Sequence, residues 1–389
     1  MPPLQEFSST LTPLRIPGDL RSDEALTRVS ATSYFLLSID HSDEMDLLND
    51  PWTLQRFLSC LALKTLPECR WEETALDVLT RSPGAAAIFS CAICFENARH
   101  RTANGEALSA QRRVALQSAL TVHRLSPDWF ERSDSLVCFE SLTRGWNRAL
   151  YASPNRLRTR SELSAVLDPI LASRVTGMPN EELVLKWRDA LTSVVFELFE
   201  NTQIHARFGY DRRTLKADVI RAILVRTVVV QTGGNPVLQK KLGAAVECLE
   251  ISVVDSGVGF FGSKHKRALL ASDSLAEEWT CLRECLDKHS EEAQHLPEGD
   301  PRGIGLYEVL RALHFLRGAI QVRSGRTKAY RSFFTGDHQI QMESRESRTR
   351  PGMPKVRMLD FDNPVRPSPT ENTEVKGVAI RTLVPLGWL

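Results

Sequence analysis

Glu197, Asn201 and His205 fall at i, i+4 and i+8 in the run FELFENTQIHA, residues 196–206. On a helix this spacing lines them along one edge. By helical-wheel geometry Asn201 lies close to the apolar stripe of Trp187, Leu191, Val194 and Leu198. An amide near a buried face costs about 1–3 kcal/mol unless it is satisfied. A bound ion or ligand can satisfy it, and so can a neighbouring backbone group. A second chemical segment is Asp255-Ser256-Gly257-Val258-Gly259, which follows the strand-like run CLEISVV. A carboxylate at a strand end can accept a hydrogen bond from the amino group of a flat heterocycle, and the glycines let the chain turn without side chains blocking the ring. The third is Gly303-Ile304-Gly305-Leu306, opening a helical run. Backbone N–H groups at a helix start favour anions, and glycines let phosphate oxygens approach them.

In order, spacing and context the three segments resemble the ATP-binding superfamily of DNA gyrase, the heat-shock ATPase chaperones, histidine kinases and MutL (GHKL). ELFEN, with Glu197 and Asn201, is similar to its first box. Residues 255–259 are similar to its D-x-G-x-G box, and residues 303–306 to its second glycine box. AIQVRSG and GVAIRTLVPL are similar to the strands that close its sheet. The resemblance covers about Leu163 to Leu389. It implies that Asn201 ligates Mg²⁺ at the phosphates of ATP, a role that suits a hard cation keeping several waters. It implies that Glu197 orients and activates the attacking water and that Asp255 reads the adenine amino group. Gly257 and Gly259 would shape the adenine pocket. Gly303 and Gly305 would hold the phosphates and hinge a lid over 260–302. His205 is either a phosphate contact or a packed or capping residue. Many kinase members carry an extra glycine where this chain has Pro301; Arg302 beside it either contacts phosphate or faces water.

Gly257, Gly259 and Gly262 also satisfy G-x-G-x-x-G. A dinucleotide fold places its first glycine directly after the strand and repeats βαβ units. Here Asp255 and Ser256 intervene and no such repeat is seen, so the match is read as accidental. No G-x-x-x-x-G-K-[ST] loop is present. Cys91 and Cys94 form CAIC, and Cys281 and Cys285 lie one turn apart. A structural zinc site needs four ligands; the apolar setting of CAIC suits buried thiols instead.

The elements that must position these residues are legible from pattern. Residues 181–206 read as one long helix, and AAVECLEISVVD as a strand. In the N-terminal part SYFLLSID reads as a strand. DPWTLQRFLSCLALKTL reads as a helix with Asp50 as N-cap and Pro51 at its first position. NGEALSAQRRVALQSALTVHRL also reads as a helix. GAAAIFSCAICF and SDSLVCFESL are strands or buried helices, which periodicity does not separate. The expected organisation is α/β. Residues 1–160 form an N-terminal mixed α/β domain for sensing or partner binding. Residues 161–389 form a two-layer sandwich, a mixed sheet with helices on one face, of the Bergerat type that the resemblance implies, with a polar loop over 331–373.

With 389 residues, 42% hydrophobic and 25% charged, the composition is that of a globular protein. Lys plus Arg (49) balance Asp plus Glu (48), so nucleic acid is not indicated as a partner. No apolar run has the length of a membrane span. Eight cysteines scattered over the chain suit a reducing compartment, and the cytoplasm is the expected location. Three functions compete. One is a Mg²⁺-dependent ATPase or nucleotide-gated switch acting on a protein partner or a second copy. Another is a protein kinase, although none of the nine histidines offers a convincing phospho-acceptor site. The last is an interaction protein with a vestigial pocket.

Overall fold

Short strands and helices alternate from Leu14 onward, and the first three strands each bury two apolar side chains. In this computed structural model, which describes residues 13–82, 86–95, 97–125, 135–139, 148–153, 156–174, 181–216, 219–232, 239–240, 243–286, 305–334, 358–364 and 368–386, the chain is a mixed α/β protein. Strands β1 (Leu14–Ile16), β2 (Phe35–Leu37), β3 (Glu68–Trp71) and β4 (Arg99–Thr102) lie in sequence order as a parallel sheet. Parallel neighbours need crossovers. These carry α1 (Glu24–Arg28), α2 (Pro51–Ala62), α3 (Glu73–Arg81) and α4 (Ala87–Cys94), and α5 (Ala110–Leu125) follows. Asp50 caps α2 as expected, accepting the Thr53 N–H at 2.9 Å, with Pro51 in the first turn. The GAAAIFSCAICF run is helical: α4 is buried at every position, as an all-round apolar helix must be.

A second, larger sheet has the order β12-β11-β10-β13-β9-β8-β5. Its strands are β5 (Ser135–Phe139), β8 (Ile220–Gln231), β9 (Ala245–Asp255), β10 (Ala319–Gly325), β11 (Thr327–Ser332), β12 (Leu359–Asp360) and β13 (Val375–Pro385). A small hairpin, β6 (Tyr151–Ser153) and β7 (Arg156–Leu157), stands apart. The helices of this half are α6 (Arg160–Arg174), α7 (Glu181–Asn201), α8 (Gly259–His265), α9 (Leu275–Glu284) and α10 (Gly305–Phe315).

Three features differ from the expected sandwich. Every pairing in the large sheet is antiparallel, so the sheet is not mixed. Its edge strand β5 precedes residue 160, and the stretch 331–373 contributes the end of β11 and all of β12. Both faces are covered. On one face Trp187, Leu191 and Leu198 of α7 and Leu310 and Leu313 of α10 join Ile223, Ile251, Ile320 and Ile380 in one core. On the other, α2 lies along β13 and β9, and Leu54, Phe57 and Leu58 share a core with Ala222, Leu224, Val254 and Ala379. Covering both faces removes the polar alternation of a half-exposed strand, which is why β9 is buried at every position from Cys248 to Asp255.

Polar contacts fasten the N-terminal block to the sheet. The Asp23 carboxylate accepts from both terminal nitrogens of Arg323 (2.9 and 2.7 Å) and from Arg56 Nε (2.7 Å). Arg323 is 0% exposed, so its charge depends on this fork. Arg226 donates to Asp50 of the α2 cap and to buried Glu250, which also takes Arg381. Ser59 Oγ on α2 accepts the Lys376 N–H at 2.9 Å. Replacing Ser59 with Ala orphans that backbone donor and is expected to cost about 1–2 kcal/mol, read as a lower urea midpoint with an unchanged slope.

Candidate functional site

Helix α7 forms because Trp187, Leu191, Val194, Val195 and Leu198 recur at helical spacing and are all buried. Glu181 and Glu182 in its first turn complement the helix dipole. Packing against the sheet leaves Glu197 and Asn201 half-buried on the helix flank. The Asn201 Nδ2 donates to the Glu197 carbonyl at 2.7 Å. The amide is therefore half satisfied by backbone, while among the described residues its Oδ1 accepts no hydrogen bond.

Helix α10 starts against this flank. A Cβ on Gly305 would lie 2.9 Å from Glu197 Oε2 and 3.1 Å from Asn201 Nδ2. Two of the three sequence segments thus meet, and a glycine is what keeps the space between them open. Leu306, next in the helix, turns into the core. Gly303 and Arg302 lie outside the described residues.

The regular helix ends at Asn201, and Thr202–Ala206 form a π turn. The wider turn carries His205 off the line of Glu197 and Asn201. His205 is exposed instead, with Nδ1 at 3.4 Å from Ser263 Oγ on α8. Single π turns inside or at the end of α-helices occur often at functional sites.

The third segment meets the end of the same helix. A Cβ on Gly257 would lie 2.6 Å from Ala206 Cα, so only glycine allows this approach. Asp255, 5% exposed, ends β9 and accepts the Gly257 N–H at 2.8 Å and a backbone N–H from Val378. Burial pushes its carboxyl up to about 6, against the pull of those two N–H groups and of Arg221. Ser256 ties the turn to β8, its Oγ accepting the Ile220 N–H at 2.9 Å. Gly259 has φ +73° and backs onto Ser324, whose Oγ accepts the Phe260 N–H at 3.2 Å.

Two residues were missed from the sequence. Gly377, at φ +68°, passes so close to Asp255 that a Cβ would sit 1.8 Å from its carbonyl oxygen. Its signal was a glycine near the head of a strand half of whose other residues are β-branched. Arg221, 2% exposed, stands opposite Asp255 in the β8–β9 register; it read as one more charge in a strand.

Glu197 is electrostatically unusual. Burial, then Glu200 and Glu308 nearby, push its carboxyl up to about 7 despite the pull of Arg160. A half-buried carboxyl that titrates near neutrality suits proton transfer.

A cleft adjoins the D-x-G-x-G turn, lined among others by Val258, Phe261, Leu282, Ser324, Thr327 and Lys376. Glu197, Asn201 and Asp255 do not line it. The described part of the 260–302 segment, α8 and α9, is docked: Leu282 and Leu286 are buried, and Glu278 pairs with Arg326 at 3.0 Å. The thiols of Cys91 and Cys94 are buried within α4, and among the described residues none of the eight cysteines forms a disulfide. Among the described residues no helix is long and apolar enough to cross a membrane.

No protein-family profile, curated protein or solved structure matches the chain.

Proposed function

We propose that the chain binds ATP with Mg²⁺ in a Bergerat-type site of the GHKL kind and hydrolyses it as a nucleotide-gated switch acting on a partner protein. One observation carries this reading: the start of α10 at Gly305 abuts Glu197 and Asn201, while Gly257 abuts Ala206 at the end of the same helix. Asn201 and Ala206 are five residues apart, about 7 Å along a helix. The phosphate-side and base-side segments are therefore neighbours. The packing of α7 and α10 side by side on one face of the large sheet supports the same reading.

The donor set suits a hard cation. Among the described residues Asn201 Oδ1 accepts no hydrogen bond, and it stands beside a glycine cradle that a Cβ would fill. One side-chain oxygen together with phosphate and water suits such a cation. Bound Mg²⁺ supplies charge neutralisation to the phosphate oxygens. Glu197, ionised, takes a proton from the attacking water. Gly305 keeps room beside it, and Asp255 accepts from the adenine amino group. Gly377 and Lys376 join this site to α2 through Ser59, so a change at the base side is mechanically linked to the N-terminal block.

Calorimetric titration of the full chain with a Mg²⁺·ATP analogue tests the reading, with Asp255→Asn as its control. Binding by the wild type and its loss in the variant are expected; a wild type that takes up no analogue rejects the proposal. Gly305→Ala is expected to weaken binding about tenfold, a cost of about 1.4 kcal/mol. Its Cβ would displace the ends of two side chains and no backbone, so its melting temperature should stay close to that of the wild type. Phosphate transferred to a protein, in place of free phosphate, would point to a kinase.

A further inference from the structure

A buried polar network holds the turn that joins the two halves of the candidate site. Helix α7 ends at Asn201, and Thr202–Ala206 widen into a π turn before Ala206 meets Gly257. Two side chains engage helix carbonyls at this point: Asn201 Nδ2 donates to the Glu197 carbonyl and Thr202 Oγ1 to the Phe199 carbonyl, each at 2.7 Å. Such back-bonding competes with the backbone ladder and bends helices. From the turn, Gln203 reaches the sheet. Its Oε1 accepts from Arg221 Nη1 at 3.0 Å and from Tyr151 Oη at 2.7 Å, and Arg221 Nη2 donates to Tyr151 Oη at 2.5 Å. Arg221 lies buried in β8 and Tyr151 buried in β6, so three elements far apart in the sequence meet at one amide oxygen. The Phe199 ring, 5.0 Å from the guanidinium carbon and edge-on to Tyr151 at 6.2 Å, flanks the network from α7.

We propose that Gln203 is a positioning residue of the nucleotide site: clamped by Arg221 and Tyr151, it fixes the π turn, and with it the spacing between Asn201 on the phosphate side and Gly257–Asp255 on the base side. This rests on the ATP-binding reading above. An amide oxygen has two acceptor lone pairs. Here two donors from different elements fill them, which sets both the place and the orientation of the side chain. Gln203 stands two residues after Asn201 and three before Ala206, within the stretch that links the two sides. A π turn is rare, so packing has to favour it over continued α-helix. Without the clamp the segment is free to rewind, and Ala206 moves relative to Asn201. Gly257 lies against Ala206 and donates its N–H to Asp255, so the base side follows. A ligand that grips both sides is sensitive to the distance between them, whereas a fragment that grips one side is not.

The full-length wild type, Gln203→Leu, Gln203→Glu and Tyr151→Phe are titrated with a Mg²⁺·ATP analogue. Adenosine and Mg²⁺·pyrophosphate, one fragment for each side, are then used to displace it. Gln203→Leu keeps the bulk and removes the acceptor. It should bind the analogue about tenfold more weakly, with the affinity of each fragment within about twofold of the wild type. Gln203→Glu keeps an oxygen for Arg221 and Tyr151 and should restore most of the analogue affinity. Tyr151→Phe removes one arm of the clamp and should fall between the wild type and Gln203→Leu; it supplies the measurement if Gln203→Leu does not fold. Equal weakening of the analogue and both fragments is what a merely structural role gives. That result, an unchanged analogue affinity, no recovery in Gln203→Glu, or a wild type from which neither fragment displaces the analogue overturns the role of Gln203 while leaving the ATP site standing. A wild type that binds no analogue overturns both.

Discussion

Replacing Glu197 with Gln is expected to lower Mg²⁺-dependent phosphate release by about 10²–10⁴-fold, the usual contribution of a general base, with ATP-analogue affinity nearly unchanged. The amide keeps the shape beside Gly305 and Asn201 but cannot take a proton. The wild-type rate should also rise with pH through about 7, where the Glu197 carboxyl ionises, and the variant should lack that limb. The same group makes a prediction about stability. Its folded-state pKa, about 7, lies above the ordinary 4.5, so between these values the folded chain holds the proton more tightly than the unfolded chain. The contribution of Glu197 to stability therefore falls as pH rises across that window. The Gln variant should melt above the wild type at pH 8 and level with it below pH 4.5. Phosphate release that survives the substitution, measured with a coupled phosphate assay, would remove Glu197 from the chemistry.

Replacing Gly377 with Ala is expected to cost about 2–5 kcal/mol, summing a left-handed backbone and an overpacked contact. The added methyl meets the Asp255 carbonyl oxygen at 1.8 Å, and that atom belongs to backbone in the middle of the sheet. Relief requires β9 and β13 to part where Val378 pairs with Asp255. The urea midpoint should fall sharply, and any folded fraction should lose ATP because Asp255 is displaced. Gly262→Ala is the control. Its methyl meets the Tyr210 ring at 2.8 Å and Val258 Cβ at 3.1 Å; both are side chains and Tyr210 is 37% exposed, so the cost should stay within about 1 kcal/mol. That contrast also tests whether Gly262 completes a dinucleotide-type spacing by accident. A Gly262 variant as damaged as the Gly377 variant would count against this account of the turn.

Much of the frame was legible in the order of residues. The apolar period of 181–201, the Asp50-Pro51 helix start and the long strands ending at Asp255 and Pro385 each depend on local geometry, and each is present. The runs GAAAIFSCAICF and SDSLVCFESL were harder: the first holds a helix and the second the strand β5. A short apolar run looks the same in a buried helix and a buried strand, and α4 became a helix in its packed setting. His205 was misaligned because helical spacing assumes a constant turn, while Thr202–Ala206 widens into a π turn where Gly257 packs against Ala206.

By itself the sequence determined which residues had chemical potential, Glu197, Asn201, Asp255 and the glycines, and which local elements would carry them, because capping and periodicity act over a few residues. The tertiary structure alone decided the rest: that α2 closes the second face of the sheet, that Gly257 and Gly377, unlike Gly262, abut backbone that a Cβ would strike, and that Arg221 stands opposite Asp255 in the β8–β9 register. Those outcomes depend on strand register and on groups brought together from far along the chain, and no local rule encodes either.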